Sequence, residues 1–413
     1  MKPGVGHANN FDALRLLGAL LVLLGHAYLL HGETQYPAMF GSPLAVLGVV
    51  LFFSLSGYLV TTSWLNDPRP VAYFRKRLLR IVPALAVVIL LSVAVLGPLF
   101  TTLSPGTYLR SPGTWEYLQN IALHPQYSLP GVFGDVPYAG VVNGSLWSLP
   151  IEFACYVLVP IIFLLPKRAR GVGFVVIAAL FGIGSLVMQA LPLSPVVYGS
   201  SLTQATAVWP YFMVGAAIAV LGPRLPLRLD LAILALIATS VLDAVAPAAA
   251  DPVWWLVLPY LIITIGTFRT PVISRAGRFG DFSYGLYLYA FPVQQALVAV
   301  APRLPFWLST LCTLAVSLLF AVASWHLVEK VALRFKGARR SAAESLVTHD
   351  DRRGPVLGVL EGAPHVGSDD SEREEDASRR EEQHENERRV AGNRDRANEP
   401  RDEDDERRHE RGE

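Results

Sequence analysis

The chain has 413 residues, 52% of them hydrophobic, with a mean hydropathy of +0.39 and a formal net charge of +1. So much apolar surface excludes a soluble single-core domain and points to stacked membrane spans of about 20 residues each. The near-zero charge conceals two materials: residues 341–413 hold 23 acidic and 13 basic side chains, net −10, while residues 1–340 hold 22 basic and 11 acidic, net +11.

The first predicted span, residues 11–31, contains FDALRLLGALLVLLGHAYLL, with Asp12, Arg15 and His26 among its ionisable groups. On a helix, eleven residues advance about 16 Å and return to within about 20° of the starting direction, so Arg15 and His26 share a face. Snorkelling would account for Arg15 alone and ordinary packing for His26 alone. An ionisable pair inside a membrane helix is nevertheless read first as functional. Asp12, one turn before Arg15, is placed to orient it. The segment lacks a small-residue processing site and runs near full membrane length, so it is expected to be a retained helix rather than a signal peptide.

The second span, 43–65, contains VLFFSLSGYLV, in which Ser56 and Gly57 interrupt an apolar run beside Tyr58. Small residues there fit either a functional wall or close helix packing. Arg69, Arg75, Lys76, Arg77 and Arg80 follow, ahead of a third span at 81–101. Arg77 and Arg80, spaced i, i+3, suit bidentate phosphate contacts and mark a candidate site for a phosphorylated ligand. Residues 102–145 form one long connection rich in Pro, Gly, Tyr and Trp, expected to be an ordered partial lid. The fourth span, 146–166, opens with SLWSLPIEF, where Trp147 is an interfacial anchor and Glu152 requires a polar partner, His26 being one possibility.

Further spans are predicted at 172–190, 204–222, 229–246, 252–268, 281–301 and 305–328. The ninth begins FSYGLYL, with Ser283, Tyr284 and Tyr287 near its start. Cys155 and Cys312 both fall inside spans and give no sign of a disulfide framework. Basic residues alternate between connections, which by the positive-inside rule puts both termini in the cytoplasm. No convincing internal repeat is visible, which counts against a transporter built from repeated halves. Beyond residue 335 the composition cannot bury enough apolar surface to offset chain entropy, so a disordered tail is expected over 336–413. The fold expected is an all-α polytopic membrane protein of about ten helices, with a short N-terminal segment at 1–10 and a transmembrane domain at 11–335.

Taken in order, the Arg-x10-His pair, FFSLSGYL, RLLRIVPAL, SLWSLPIEF and FSYGLYL resemble the acyltransferase 3 family of integral-membrane O-acyltransferases over residues 9–335. The resemblance implies transfer from a cytosolic acyl-coenzyme A, acetyl by default, to a hydroxyl of a carbohydrate or glycosylated acceptor in the stand-alone form of the family. On that reading His26 is the general base, either directly or through a transient acyl-His26, and Glu152 orients it. Arg77 and Arg80 engage coenzyme A phosphates, Arg15 lies deeper along the same path, and Ser56, Tyr58, Ser283, Tyr284 and Tyr287 line it. Acyl-coenzyme A is a co-substrate, with no permanently bound cofactor or metal expected. The bilayer is a partner and nucleic acid is not, and the expected location is the plasma membrane. Many members carry histidine after YLY and proline after the final Glu-x pair, where this chain has Ala290 and Val331. The competing classes are a transporter or flippase of a sugar-containing or anionic solute and a scaffold acting through the tail.

Overall fold

The computed structural model describes residues 9–335 except 192–194 and 272. The N-terminal residues 1–8 and the tail from 336 onward, including the expected disorder there, lie outside the described residues. Within the described residues, long helices occupy all ten predicted positions, numbered here in chain order. They are α1 (Phe11–Leu30), α2 (Leu44–Asn66), α3 (Pro70–Phe100), α4 (Gly144–Ile162), α5 (Arg170–Ala190), α6 (Leu202–Leu221), α7 (Leu229–Val245), α8 (Pro247–Thr267), α9 (Ser283–Val300) and α10 (Phe306–Arg334).

Eight of these are long and apolar enough to cross a bilayer, the shorter α7 and α9 being the exceptions. In α9 the reason is visible in the sequence: Ser283, Gln294 and Gln295 are polar, and all three are buried inside the protein. Large apolar side chains are exposed on the outer faces of α5 and α7, among them Leu180, Ile183, Leu234, Ile237 and Val241, as the hydrocarbon of a membrane requires.

Two boundaries differ from prediction in ways that matter. Helix α3 starts at Pro70, eleven residues before the apolar run, because proline at the first helical position loses no hydrogen bond. Arg75 and Lys76 are therefore held in the same helix as Arg77 and Arg80. Hydrogen bonds from Arg69 and Lys76 tie its start to Asp67, and these, together with the two positive charges, hold the Asp67 carboxyl well below the usual carboxylate range. Helix α10 runs past its predicted end through a wide π turn at Trp325–Glu329 that leaves Glu329 only 2% exposed. Such turns insert one residue and re-aim the side chains around them.

The structure also contains a repeat that the hydropathy profile hides. Residues 37–44, PAMFGSPL, and 195–202, PVVYGSSL, each form a two-residue antiparallel hairpin that feeds directly into α2 and α6. Their turns use the same left-handed pair, Phe40–Gly41 with φ of 55° and 71°, and Tyr198–Gly199 with φ of 50° and 71°. A preceding helix completes each unit, giving α1–hairpin–α2 and α5–hairpin–α6.

Helices α2 and α6 then cross at glycines that stand at equivalent places. A Cβ on Gly57 would lie 2.0 Å from the Phe212 carbonyl oxygen, and a Cβ on Gly215 would lie 2.4 Å from that of Ser54. The contact is reciprocal, so Gly57 serves close packing, the plainer of its two sequence readings. Gly57→Ala is expected to lower stability by about 1–3 kcal/mol, the usual range for overpacking. A thermal melt of the detergent-solubilised variant checks this, and an unchanged midpoint would contradict the crossing.

The long connection is ordered by its own side chains. Tyr108 donates to the Val93 carbonyl at 2.9 Å, and Asn120 bonds to the Tyr117 and Gln126 backbone, which ties down the short helical turns at Pro105–Arg110, Pro112–Glu116 and Tyr117–Ala122. Its last part is pinned to α9, where Gln295 donates to the Tyr138 and Val141 carbonyls and Asn143 donates to that of Leu288. This pinning brings Tyr138 and Trp147 over the site described next.

Candidate functional site

One end of the bundle, where α3 begins, holds a partly buried charge cluster. Asp281, just before α9, accepts from Arg80 at 2.5 Å and from Arg15 at 3.3 Å through the same oxygen. Its other oxygen takes the Ser283 hydroxyl at 2.5 Å and the Ser283 amide at 3.3 Å. Arg80 also donates to Glu329 at 3.2 Å, and Arg15 to Asp12 at 3.4 Å. Four segments far apart in sequence are thereby joined: α1, α3, the start of α9 and the wide turn of α10.

The sequence reading found both arginines and missed both principal carboxylates. A signal existed for each: Asp281 immediately precedes FSYGLYL, and Glu329 is an acidic residue within the last apolar segment. Intramembrane carboxylates demand a partner.

The two arginines of the i, i+3 pair have different surroundings. Arg80 is neutralised by Asp281 and Glu329 and stacks 5.6 Å above the Tyr284 ring. Arg77 has no carboxylate within ion-pair distance among the described residues. Its guanidinium lies 5.9 Å and 6.0 Å from the Tyr156 and Tyr73 ring centres, and its Nε is buried without a hydrogen bond. Arg77 is thus the member of the pair without a carboxylate partner among the described residues.

Above the cluster, Glu152 accepts the Ser56 hydroxyl at 2.5 Å and the Tyr156 hydroxyl at 2.6 Å on one oxygen. It borders a small cavity of about 40 Å³ with Phe52, Ser148, Tyr284 and Tyr287. Glu152 is therefore not the partner of His26: no hydrogen bond joins them, and its donors come from α2 and from its own helix. Tyr58 is placed elsewhere as well, its ring 5.7 Å from Phe11 and outside both cavities.

His26 faces a separate, larger cavity of about 260 Å³ at the hairpin end of the bundle. Its ring meets Phe291 edge-on at 5.0 Å, and Nδ1 is buried with no hydrogen-bond partner among the described residues. Around it stand Tyr36 just before the first hairpin, Tyr138 from the long connection, Trp147 from the start of α4, and Gln204 from α6. Trp147 was read from sequence only as an interfacial anchor and the other three were not singled out, because their meeting joins distant segments.

Tyr287 lines both cavities and is fixed there by donating to the Ser145 carbonyl at 2.6 Å, with the Ser148 hydroxyl 2.6 Å away. Asp281, Tyr284, Tyr287 and Phe291 are spaced by three, three and four residues, so they form one face rising from the charge cluster to His26. Arg15 and His26 do the same on α1. The two faces connect the ends of the bundle.

Ala290 packs with Ala19, Leu23, Leu286 and Ala321 in a small cluster among α1, α9 and α10, leaving it 2% exposed. Its departure from the histidine common in the resembled family therefore sits in a packed helix junction, off the His26 cavity. Cys155 and Cys312 are both free thiols.

Comparison with known proteins identifies the family. Residues 9–326 match the acyltransferase domain family, a span that includes every residue of the charge cluster except Glu329. An O-acetyl transferase of Shigella phage Sf6 is 29% identical over 331 residues, covering 78% of this chain and 95% of that protein. Nodulation protein 10 of Rhizobium leguminosarum bv. viciae is 27% identical over 377 residues, covering 80% and 95%. No solved structure matches. With the family match running through the helices that carry both cavities, the chain belongs to the acyltransferase 3 family and is a multi-pass membrane O-acyltransferase.

Proposed function

We propose that the protein moves an acetyl group from cytosolic acetyl-coenzyme A to a hydroxyl of a carbohydrate or glycosylated acceptor, with His26 as general base. The observation that carries this reading is the His26 imidazole, which faces a cavity at one end of the bundle and is joined by two helix faces to arginines at the other. Positive charge concentrates at the arginine end, which supports a cytoplasmic location for that end and an outer location, at the plasma membrane, for the His26 cavity. Half the hydrocarbon thickness, about 15 Å, is then the distance the donor's extended arm must reach.

In this mechanism a coenzyme A phosphate pairs with Arg77, which has no carboxylate partner among the described residues, while Arg80 and Arg15 remain tied to Asp281. The arm follows the α9 face past Tyr284 and Tyr287, with Glu152 and Ser56 offering polar contacts at mid-depth. At the outer end the acceptor oxygen attacks the thioester carbonyl as His26 takes its proton. The oxygen–carbon bond forms, the carbon–sulfur bond breaks, and the departing thiolate takes up a proton. The acetyl assignment draws support from the phage relative named for O-acetyl transfer.

The test is to incubate purified protein with acetyl-coenzyme A and glycan acceptors and follow free thiol together with the mass of the product. Release of thiol coupled to a gain of one acetyl mass is expected; solute uptake by proteoliposomes with no transfer would defeat the reading. Arg77→Gln is expected to raise the KM for acetyl-coenzyme A about 10- to 100-fold, the worth of one charge-assisted hydrogen bond, with kcat at saturation little changed. An equal loss from Arg80→Gln with no stability change would reverse the roles assigned to the two arginines.

A further inference from the structure

The two cavities of the candidate site touch at a neck. Val49 of α2 and Tyr287 of α9 line both of them. On the arginine side of this pair lies the chamber of about 40 Å³ beside Glu152, and on the other side the His26 cavity of about 260 Å³.

Both neck residues are held in place. Val49 is buried on a helix that packs against α1 and α6, and a β-branched side chain in a helix keeps one strongly preferred rotamer, so it forms a fixed wall. Tyr287 is buried as well. Its hydroxyl donates to the Ser145 carbonyl and pairs with the Ser148 hydroxyl, both at 2.6 Å, and the Phe52 ring meets its ring in a T-shaped contact with centroids 5.6 Å apart. The chamber beside Glu152 has room for about three water molecules, so the neck is no open channel. A group that crosses must fit between Val49 and the phenol, or release both hydrogen bonds to push the phenol aside.

The direction from which the donor arrives makes this neck selective. With a phosphate at Arg77, an acyl-coenzyme A lays its arm along the α9 face and carries the acyl group at the far end. The acyl group is therefore the first part to cross, and it comes to rest in a cavity that must also hold the acceptor hydroxyl. Each methylene beyond acetyl has to find space against Val49 and the Tyr287 ring, where close-packed side chains give way only at the expense of their own contacts.

We infer that Val49 and Tyr287 are the specificity-determining pair for the donor, restricting transfer to short acyl groups by the width of the neck. This rests on the acyl-transfer reading above and deepens it, from which group is moved to what limits its size. Apolar walls alone would favour longer chains, because every added methylene gains from burial, so the limit comes from space and not from polarity.

The test uses the purified full chain in nanodiscs with a glycan acceptor and compares acetyl-, propionyl- and butyryl-coenzyme A by thiol release and product mass. The wild type is expected to lose roughly tenfold or more in kcat/KM for each added methylene. Val49→Ala removes two methyl groups from the neck and is expected to cut the acetyl-over-butyryl ratio by at least about tenfold, whereas Val49→Leu raises it. Tyr287→Phe keeps the ring and drops both hydrogen bonds, which frees the ring to move and lowers the ratio. Each ratio is taken within one preparation, so partial unfolding lowers both rates and leaves their quotient where it was.

Equal kcat/KM for the three donors in the wild type would overturn the inference. So would ratios in Val49→Ala and Val49→Leu that match the wild type, since a purely structural valine changes both rates together. In either case acyl transfer itself stands. A wild type that releases thiol from none of the donors, with any acceptor, would overturn the acyl-transfer reading, an outcome distinct from a loss of selectivity.

Discussion

His26→Ala is expected to lower acyl transfer by roughly 10² to 10⁴, the contribution of a positioned general base, while the protein continues to fold. The fold should survive because the ring faces a cavity and Nδ1 makes no hydrogen bond among the described residues, so no buried polar partner is stranded. The lost contact is mainly the edge of Phe291 at 5.0 Å. Product analysis by mass spectrometry from cells carrying wild type or variant reads the effect directly, and a parallel melt of the purified proteins shows that structure is retained. Transfer within a few-fold of wild type would remove His26 from the mechanism. Glu152→Gln makes a useful contrast: it disturbs the Ser56 and Tyr156 hydrogen bonds without touching the imidazole.

The second large effect is on stability. Asp281 is the hub that neutralises Arg80 and Arg15 together, and Asp281→Ala leaves Arg15 with Asp12 alone and Arg80 with Glu329 alone. Breaking one member of a buried ionic network typically costs about 3–5 kcal/mol, because the stranded charge keeps its desolvation penalty. The Ser283 hydroxyl and amide lose their acceptor as well, loosening the first turn of α9. A sharp fall in the thermal midpoint and in membrane expression is expected, and Asp281→Asn should recover part of it by preserving the Ser283 bonds. A midpoint unchanged in Asp281→Ala would show that the arginines reach water or another anion, and that the cluster is not the tie between α1, α3 and α9.

These two expectations bear on why ionisable residues stand in a membrane protein at all. At the arginine end they hold helices together, while Arg77 has no carboxylate within ion-pair distance among the described residues. At the other end a single imidazole meets a chamber large enough for a ligand. In the proposed mechanism, the separation of these tasks along α1 and α9 lets one chain bind a charged donor at one surface and react at the other.

Composition and hydropathy were enough to establish a membrane helix bundle, because each span must satisfy its own backbone in hydrocarbon and therefore writes its length into about 20 consecutive residues. The Arg-x10-His pair was equally legible, since two residues on one helix face are related by helical geometry alone. Partnership was not. Glu152 was a reasonable mate for His26 by depth, yet Ser56 and Tyr156 claim it. Asp281 and Glu329 serve Arg80 from 201 and 249 residues away, and no local pattern encodes such pairings. The roof formed by Tyr36, Tyr138, Trp147 and Gln204, and the reciprocal crossing at Gly57 and Gly215, likewise depend on how helices pack. Sequence alone determines what each helix presents on each face; which faces meet is settled by ridges, glycines and turns acting over the whole bundle, and only the tertiary structure decides it.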